Sequence, residues 1–304
     1  MTLRLDPRSI VFDEFGGLEP AEPQWLAEKA YWEDYNCRFF RSNGLDYRPE
    51  DSNVDRWLTA CDRAPYAFMA RALLPRLSAR MGDLSDIDMV LFAHWLPDLH
   101  LGTSVTNFAL HHLGLTEGFG FALSDRGRSA PLFALNCLDR CLTGARRRAI
   151  LMVMDQKHLL YRSALVDRLD PVNSAAVMVL DRTPGAGLAV SGYHRIPQQP
   201  AASLPATLRG LLADWGCTAA QTTLIADPAL LALADHRGRG LAQDPRHLCA
   251  APFAALARCA DLTGPVVLLC QEGAELTALC LKPQPAAVTG TGPDTGLMAE
   301  RVPA

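Results

Sequence analysis

Short, uniformly apolar runs alternate with longer amphipathic segments through the first half of the chain. Apolar residues recur with helical spacing over 64–81, which predicts a helix that ends at Gly82. The short runs have no polar face, so they predict strands that are buried on both sides. The remaining predicted elements of this half are a strand over 87–93, helices over 106–113 and 130–142, and strands over 149–154 and 175–180.

The same order of elements begins again after 182–205, a stretch rich in proline and glycine. The repetition predicts an α/β protein made of two fused, similar halves, 1–182 and a shortened 183–285, followed by a flexible tail over 286–304. The last two strands are separated only by Gln271-Glu272-Gly273, which predicts a hairpin. The elements predicted in the second half are helices over 206–215 and 252–260 and strands over 222–226, 266–270 and 276–281.

The chain has 304 residues, of which 49% are hydrophobic and 20% charged, a balance typical of a globular protein with a large core. Its formal charge of −4 is spread along the sequence, which argues against nucleic acid or a membrane as a partner. No apolar run reaches the roughly 18 residues of a membrane span, and the N-terminus has charges where a signal peptide is apolar. Nine cysteines without the spacing of a disulfide framework favour a reducing compartment, so we expect a cytoplasmic protein.

Four segments carry a pattern that extends over roughly 64–182 and 206–283. They are LSDIDMVLFAHWLPD (84–98), HHLGL (111–115), FALNCLDRCLTGARRRAILMVMDQ (133–156) and GPVVLLCQEGAELTALCLK (264–282). The strand leading to a Pro-Asp loop, the helix closing on Leu-Gly-Leu and the final glycine turn resemble the ketoacyl-ACP synthase III family. The resemblance implies a thiolase-like five-layer αβαβα fold with an internal duplication, and a dimer.

The catalytic positions of that family are occupied by other residues in this chain. The family uses a cysteine at a helix N-terminus, where the helix dipole favours its thiolate, together with a histidine and an asparagine from the second half. By the resemblance, Arg128 stands in the cysteine position beside Ser129. The histidine position falls on Asp227 or, with a shift of one residue, on Ala226; the asparagine is replaced by Arg246 or lost in a deletion. The nearest cysteines of the same predicted helix, Cys137 and Cys141, are interpreted as buried small residues.

Two functions are compatible with this pattern. The first is a catalytically silent ketosynthase-like subunit of acyl-ACP or acyl-CoA metabolism, which pairs with an active ketosynthase or with itself. The alternative is an active acyltransferase or hydrolase that uses Ser129 as nucleophile, His247 as base and Asp227 or Asp244 to orient the base. No cofactor is expected; acyl-CoA or a phosphopantetheine-linked acyl group is the substrate class, with acyl carrier protein as a further partner.

Four further expectations follow from particular segments. A permanent positive charge at a helix N-terminus is repelled by the positive end of the helix dipole. We therefore expect Arg128 to pair with an acid, and Asp125 is the closest in sequence. The stretch from Ile196 to Leu208 is short and rich in proline and alanine compared with the corresponding segment of the family, which predicts a narrowed or absent substrate tunnel. His94, Asp98 and His100 follow a predicted strand, but without a further ligand they do not predict a metal site. The aromatic segment 25–47 is interpreted as a helical cap, a partner surface or the lining of an acyl pocket.

Overall fold

A computed structural model describes residues 2–183, 185–259 and 261–284, so the predicted tail lies outside the described residues. The strands are β1 (Arg4–Leu5), β2 (Val11–Phe15), β3 (Met89–Ala93), β4 (Phe119–Leu123), β5 (Arg148–Asp155), β6 (Asn173–Asp181), β7 (Gly187–Ile196), β8 (Thr223–Ala226), β9 (Arg239–Ala242), β10 (Val266–Glu272) and β11 (Glu275–Gln284). The α-helices are α1 (Lys29–Ser42), α2 (Val54–Thr59), α3 (Tyr66–Met81), α4 (Val105–His112), α5 (Ala130–Cys141), α6 (Ala164–Leu169), α7 (Leu204–Asp214), α8 (Pro228–Leu233) and α9 (Ala251–Ala257).

The sheet topology repeats between the two halves. The strand order is β4-β3-β5-β6-β2 in the first half and β9-β8-β10-β11-β7 in the second. In each half the first three strands of this order pair in parallel. The fourth strand pairs antiparallel with the third, and the fifth pairs antiparallel with the fourth. The two-residue strand β1 pairs with both β6 and β7 and joins the halves. The internal duplication predicted from the apolar pattern is therefore present in the backbone.

Three core clusters define five layers. Alternate residues of β3 and β5 pack on α3 and α4 on one side and on α5 on the other. In the second half, β8 and β10 pack in the same way on α7 and α8 on one side and on α9 on the other. The helices α5 and α9 share one core cluster with residues of both sheets, so they form the central layer. The chain thus has the predicted thiolase-like αβαβα arrangement.

Some elements escaped the apolar pattern. The pattern assigns no element to 182–205, yet β7 runs through it, because the second half of this strand is not apolar and leaves Ser191, His194 and Arg195 exposed. The edge strands β4 and β9 were also not predicted, since they are only five and four residues long and partly exposed.

The aromatic segment folds as α1 and the turn of 3₁₀-helix before it, Pro23–Glu28. Trp25 and Trp32 pack against a small buried cluster that includes Trp57 and Leu160. Tyr31, by contrast, is exposed. The segment is therefore a cap over the loops that follow β3 and β5, as one of the sequence interpretations expected.

Candidate functional site

The N-terminus of α5 faces the hairpin turn between β10 and β11. The helix begins after a short 3₁₀ turn, Gly127–Ser129, in which Gly127 has φ +55°. A Cβ atom at Gly127 would lie 3.2 Å from the Cγ and Cδ atoms of Glu272, so this glycine permits the close approach of the hairpin. The approach brings Arg128 against the second half of the chain.

Arg128 is bonded through all three of its side-chain nitrogens. Its Nε donates to Glu272 Oε1 at 2.5 Å, and its Nη1 donates to Asp227 Oδ2 at 2.9 Å. Its Nη2 donates to the backbone carbonyl of Gln271 at 3.0 Å. We call Arg128, Asp227 and Glu272 the arginine cluster. It links the helix of the first half to two elements of the second.

Little of the arginine cluster is open to water. The side chains of Arg128, Asp227 and Glu272 are 12%, 19% and 24% exposed. Burial alone lowers the pKa of the guanidinium, but the nearby Cys270, Glu272 and Asp227 raise it above its usual value. Arg128 therefore remains charged at all accessible pH values, and two carboxylates balance its charge at the helix N-terminus.

Asp227 occupies its place because β8 ends directly before it. The residue precedes Pro228, the first residue of α8, so its side chain stands at the carboxyl end of a central strand. Its second oxygen, Oδ1, accepts a hydrogen bond from Gln243 Nε2 at 2.8 Å. Both carboxylate oxygens are thus engaged, one by Gln243 and the other by Arg128.

The prediction that Arg128 pairs with an acid is confirmed, but the expected partner Asp125 is wrong. The Oδ2 atom of Asp125 lies 3.5 Å from Nε of Arg126 instead. The guanidinium of Arg126 packs on the ring of Phe133 at 4.8 Å from the ring centroid. Arg128 turns to the other side, toward residues 99 and 144 positions away in sequence.

Ser129, His247 and Asp227 do not form a triad. The Ser129 hydroxyl is buried and donates to the carbonyl of Arg126 at 2.7 Å. His247 Nε2 lies 2.7 Å from Oε1 of Glu14, and its ring makes an edge contact with Phe12. Asp227 serves Arg128 and Gln243. Each member of the alternative catalytic set is bonded to a different neighbour, and the arrangement gives Ser129 no base.

The segment before α9 places Cys249, rather than Arg246, beside the arginine cluster. Arg246 is exposed, and its Nε donates to the carbonyl of Asp170. The Sγ of Cys249 lies 3.6 Å from the carbonyl of Gly127. Leu248, the residue directly before Cys249, has a positive φ of +45°. The assignment of Arg246 to the family's asparagine position therefore does not put its side chain in the site, whereas Cys249, which the sequence analysis did not single out, adjoins it.

The Cys249 thiol is buried and lies near a buried carboxylate. Asp155, at the end of β5, accepts the backbone N–H of Cys249 at 3.0 Å through Oδ2. Its Oδ1 accepts the N–H groups of Trp95 and Leu96, both at 2.9 Å. Burial and Asp155 raise the pKa of the thiol well above its usual value. Cys249 is therefore protonated and inaccessible, the opposite of a reactive thiol.

The other candidate clusters have ordinary partners. His94 Nδ1 lies 2.7 Å from the carbonyl of Leu96, and His100 Nε2 lies 2.7 Å from Oε1 of Glu19. Asp98 accepts the backbone N–H groups of Tyr66 and Leu99. Over the part of the chain that the structure describes, no three histidine, cysteine or acidic side chains come together as a metal site would require.

Four cavities lie away from Arg128. The largest, about 860 Å³, is lined by polar residues of 29–56 with Arg162 and Asp167. A cavity of about 560 Å³ lies between β4 and the loop after β3, and two smaller ones of about 250 and 60 Å³ lie beneath the aromatic cap. Arg128 lines none of these four. The described residues also include no helix that is both long and apolar enough to cross a membrane.

No protein-family model matches the sequence, and no curated protein matches it. Solved structures are similar in fold. A tetronic acid condensing enzyme has a TM-score of 0.64 at 15% identity, covering 92% of this chain and all of that one. The 3-oxoacyl-(acyl carrier protein) synthase III of Pseudomonas aeruginosa PAO1 has a TM-score of 0.64 at 15% identity, covering 94% of this chain and 99% of that one. An OleA variant of Xanthomonas campestris has a TM-score of 0.60 at 10% identity, covering 93% and 98%. The chain has the thiolase-like fold that these structures share.

Proposed function

We propose that this thiolase-fold chain is a catalytically silent, ketosynthase III-like subunit that pairs with an active ketosynthase in acyl-thioester metabolism. The observation that carries the proposal is the arginine cluster. At the helix N-terminus where the family resemblance places a cysteine nucleophile, Arg128 is held by Asp227 and Glu272. A guanidinium cannot form a thioester, and each of its three nitrogens already donates a hydrogen bond within the protein.

The electrostatics of the cluster support loss of acyl chemistry rather than its relocation. A thioester carbonyl that accepts charge during attack needs free donors directed at its oxygen. Here Arg128 Nη1 and Nε are bonded to carboxylates, and Nη2 is bonded to the Gln271 carbonyl. Two carboxylates at the same point also disfavour an oxyanion. The site is thus occupied by its own side chains, with two carboxylates against one guanidinium.

The serine alternative has less support. Ser129 is buried beneath Arg128, and its hydroxyl bonds the carbonyl of Arg126. A serine needs a base within hydrogen-bond reach, because its hydroxyl is not acidic enough to ionise near neutral pH. His247, the proposed base, is directed to Glu14. We therefore favour the silent subunit over an acyltransferase or hydrolase.

The partner surface is proposed along β4, at one end of the sheet order. The strand reads FGFAL, carries no charge, and leaves Phe119 52% exposed. Natural edge strands are usually protected by charge, proline or a covering segment, and an apolar one without these is suited to pairing with another chain. We propose that a homologous ketosynthase, or a second copy of this chain, continues the sheet there in the cytoplasm.

The proposal predicts that the chain does not become acylated. Incubated with acyl-CoA or with acyl-ACP, the intact protein should show no stoichiometric acyl mass, whereas a ketosynthase with its cysteine, tested in parallel, should gain one. Intact-protein mass spectrometry measures both. The physical reason is that the two nucleophilic side chains at the N-terminus of α5 are not available: Ser129 is bonded within its turn, and Cys249 is buried and protonated.

Single substitutions identify the nucleophile if an adduct does form. An adduct that is lost in Ser129→Ala but kept in Cys137→Ala, Cys141→Ala and Cys249→Ala would establish the serine enzyme in place of the silent subunit. An adduct lost only in one of the cysteine variants would mean that a thiol is the nucleophile. Either result contradicts the proposal.

Association is predicted to depend on the free edge of β4. The N–H of Phe119 donates to Asp88 and the carbonyl of Leu123 accepts from His94, so the alternate residues Gly120 and Ala122 present their backbone groups to the open side. Ala122→Pro removes an outward N–H without removing a bond to β3. We expect the wild-type chain to self-associate or to form a 1:1 complex with an active ketosynthase that buries more than about 2,000 Å². The Ala122→Pro variant should lose both kinds of association.

Size-exclusion chromatography with light scattering measures the effect. Ala122→Ser is the matched control, because it changes the same exposed side chain and keeps the N–H group. The control should associate as the wild type does. A wild-type chain that stays monomeric with every candidate ketosynthase, or a Pro variant that associates normally, contradicts the proposed surface.

A further inference from the structure

Two cysteine side chains of the second half meet where α7 ends. Cys217 lies three residues beyond the end of this helix, and Cys280 lies in β11; their Sγ atoms are 3.9 Å apart. Cys280 is buried and Cys217 is half-buried. A disulfide needs its sulfur atoms about 2 Å apart, so the remaining distance is within what rotation of the two side chains and a small shift of the loop supply.

The surrounding contacts keep the two thiols next to each other. Lys282 Nζ donates to the carbonyl of Trp215, which also accepts from the Cys217 thiol. The indole of Trp215 lies over Gly192 of β7, where a Cβ atom would be only 2.0 Å from Nε1. The end of α7 is therefore docked closely against the strand that carries Cys280. The contact is invisible in sequence, since the two cysteines are 63 positions apart.

We propose that Cys217 and Cys280 are a site of reversible oxidative modification, at which a peroxide converts the two thiols to an intramolecular disulfide. The sulfur of Cys217 attacks one peroxide oxygen, so that an S–O bond forms and the O–O bond breaks. The hydroxide that leaves takes the thiol proton of Cys217 as water, which gives a sulfenic acid. The sulfur of Cys280 then attacks the sulfur of Cys217. The S–S bond forms, the S–O bond breaks, and the hydroxyl leaves as water with the proton of Cys280.

The order of the two steps follows from exposure. The half-buried Cys217 is open to peroxide, whereas Cys280 is shielded in the sheet. Burial and the neighbouring Cys217 raise the pKa of Cys280 to about 12, which keeps it protonated until the sulfenic acid forms beside it. A thiol reductant reverses the reaction by exchange at the sulfur atoms, which permits a transient bond even in a reducing compartment.

Peptide mapping tests the proposal on the full-length chain. The protein is reduced, freed of reductant, treated with hydrogen peroxide, alkylated and digested with trypsin and a glutamyl endopeptidase. The fragments 210–237 and 276–300 then contain Cys217 and Cys280 as their only cysteines. We expect these two fragments to be cross-linked, with the loss of two hydrogen atoms, and to separate again with reductant. The oxidised chain should also melt at a higher temperature, because the bond closes a loop of 63 residues.

Variants keep the interpretation specific. Cys280→Ala should abolish the cross-linked fragment and leave Cys217 carrying oxygen, while Cys141→Ala, a matched change in α5, should leave the cross-link intact. Wild-type protein in which both thiols remain open to alkylation after peroxide would overturn the proposal. So would one in which Cys217 is oxidised without joining Cys280, or in which either cysteine joins a different thiol.

Discussion

Replacing Arg128 with methionine should lower the free energy of unfolding by about 3 kcal/mol. The substitution keeps an unbranched apolar stem but removes the guanidinium, and with it the charge that Asp227 and Glu272 face. Breaking a fully buried ion pair costs about 3–5 kcal/mol, because the remaining charge is left without a partner. The estimate lies at the lower end because the two carboxylates are 19% and 24% exposed, so water screens part of their repulsion.

Two further variants separate the charge from the packing. Arg128→Lys restores the charge but not the three-way bonding, and it should recover part of the loss. Arg128→Met combined with Asp227→Asn and Glu272→Gln should recover most of it, since no unpaired charge remains. Denaturant unfolding, followed by the midpoint and slope, measures all three. A loss below about 0.5 kcal/mol in Arg128→Met would mean that the cluster acts as an ordinary surface ion pair.

Part of this site could be predicted from the sequence. The apolar periodicity places Arg128 just before a helix and Asp227 just after a strand, and the family resemblance puts both at catalytic positions. The requirement that a charged residue at a helix N-terminus find an acid follows from the dipole alone. Both features are local structure, which periodicity and capping residues encode.

Which acid pairs with Arg128 could not be predicted from the sequence. Asp125 is closest in sequence, but the turn around Gly127 directs Arg128 toward the β10–β11 hairpin and leaves Asp125 beside Arg126. Glu272 is 144 positions away, and its role depends on how the two sheets pack around α5 and α9. In the sequence, Gln271-Glu272-Gly273 indicates only a turn. Contacts between halves depend on the packed tertiary structure, which no local pattern specifies.

The same reasoning explains which strands were found. The central strands β3, β5, β6 and β10 are buried on both faces over most of their length, so their apolar runs identify them without reference to a partner. The edge strand β4 is half exposed, and β7 alternates only in part. Such strands gain their stability from the neighbour that they pair with, so their composition alone does not distinguish them from loops.

Asp155, the last residue of β5, holds the loops of the same region. The sequence does not distinguish it, because a polar residue at the end of an apolar strand is also what an ordinary turn would have. Its side chain is fully buried, and its two oxygens accept three backbone N–H groups from two separate segments. The segment of Trp95 and Leu96 follows β3, and that of Cys249 precedes α9. One carboxylate therefore fixes the loops of both halves at the end of β5.

Asp155→Ala should be the most destabilising of these changes. It leaves three backbone N–H groups without an acceptor, at about 1–3 kcal/mol each, so we expect a loss of at least about 4 kcal/mol or failure to fold. Asp155→Asn keeps one acceptor oxygen and should fold with a smaller loss and faster hydrogen exchange over 95–96 and at Cys249. Asp34→Ala, the same change at an exposed position paired only with Arg38, should alter stability by less than about 0.5 kcal/mol. An Asn variant with unchanged exchange at all three amides would show that Asp155 does not hold these loops.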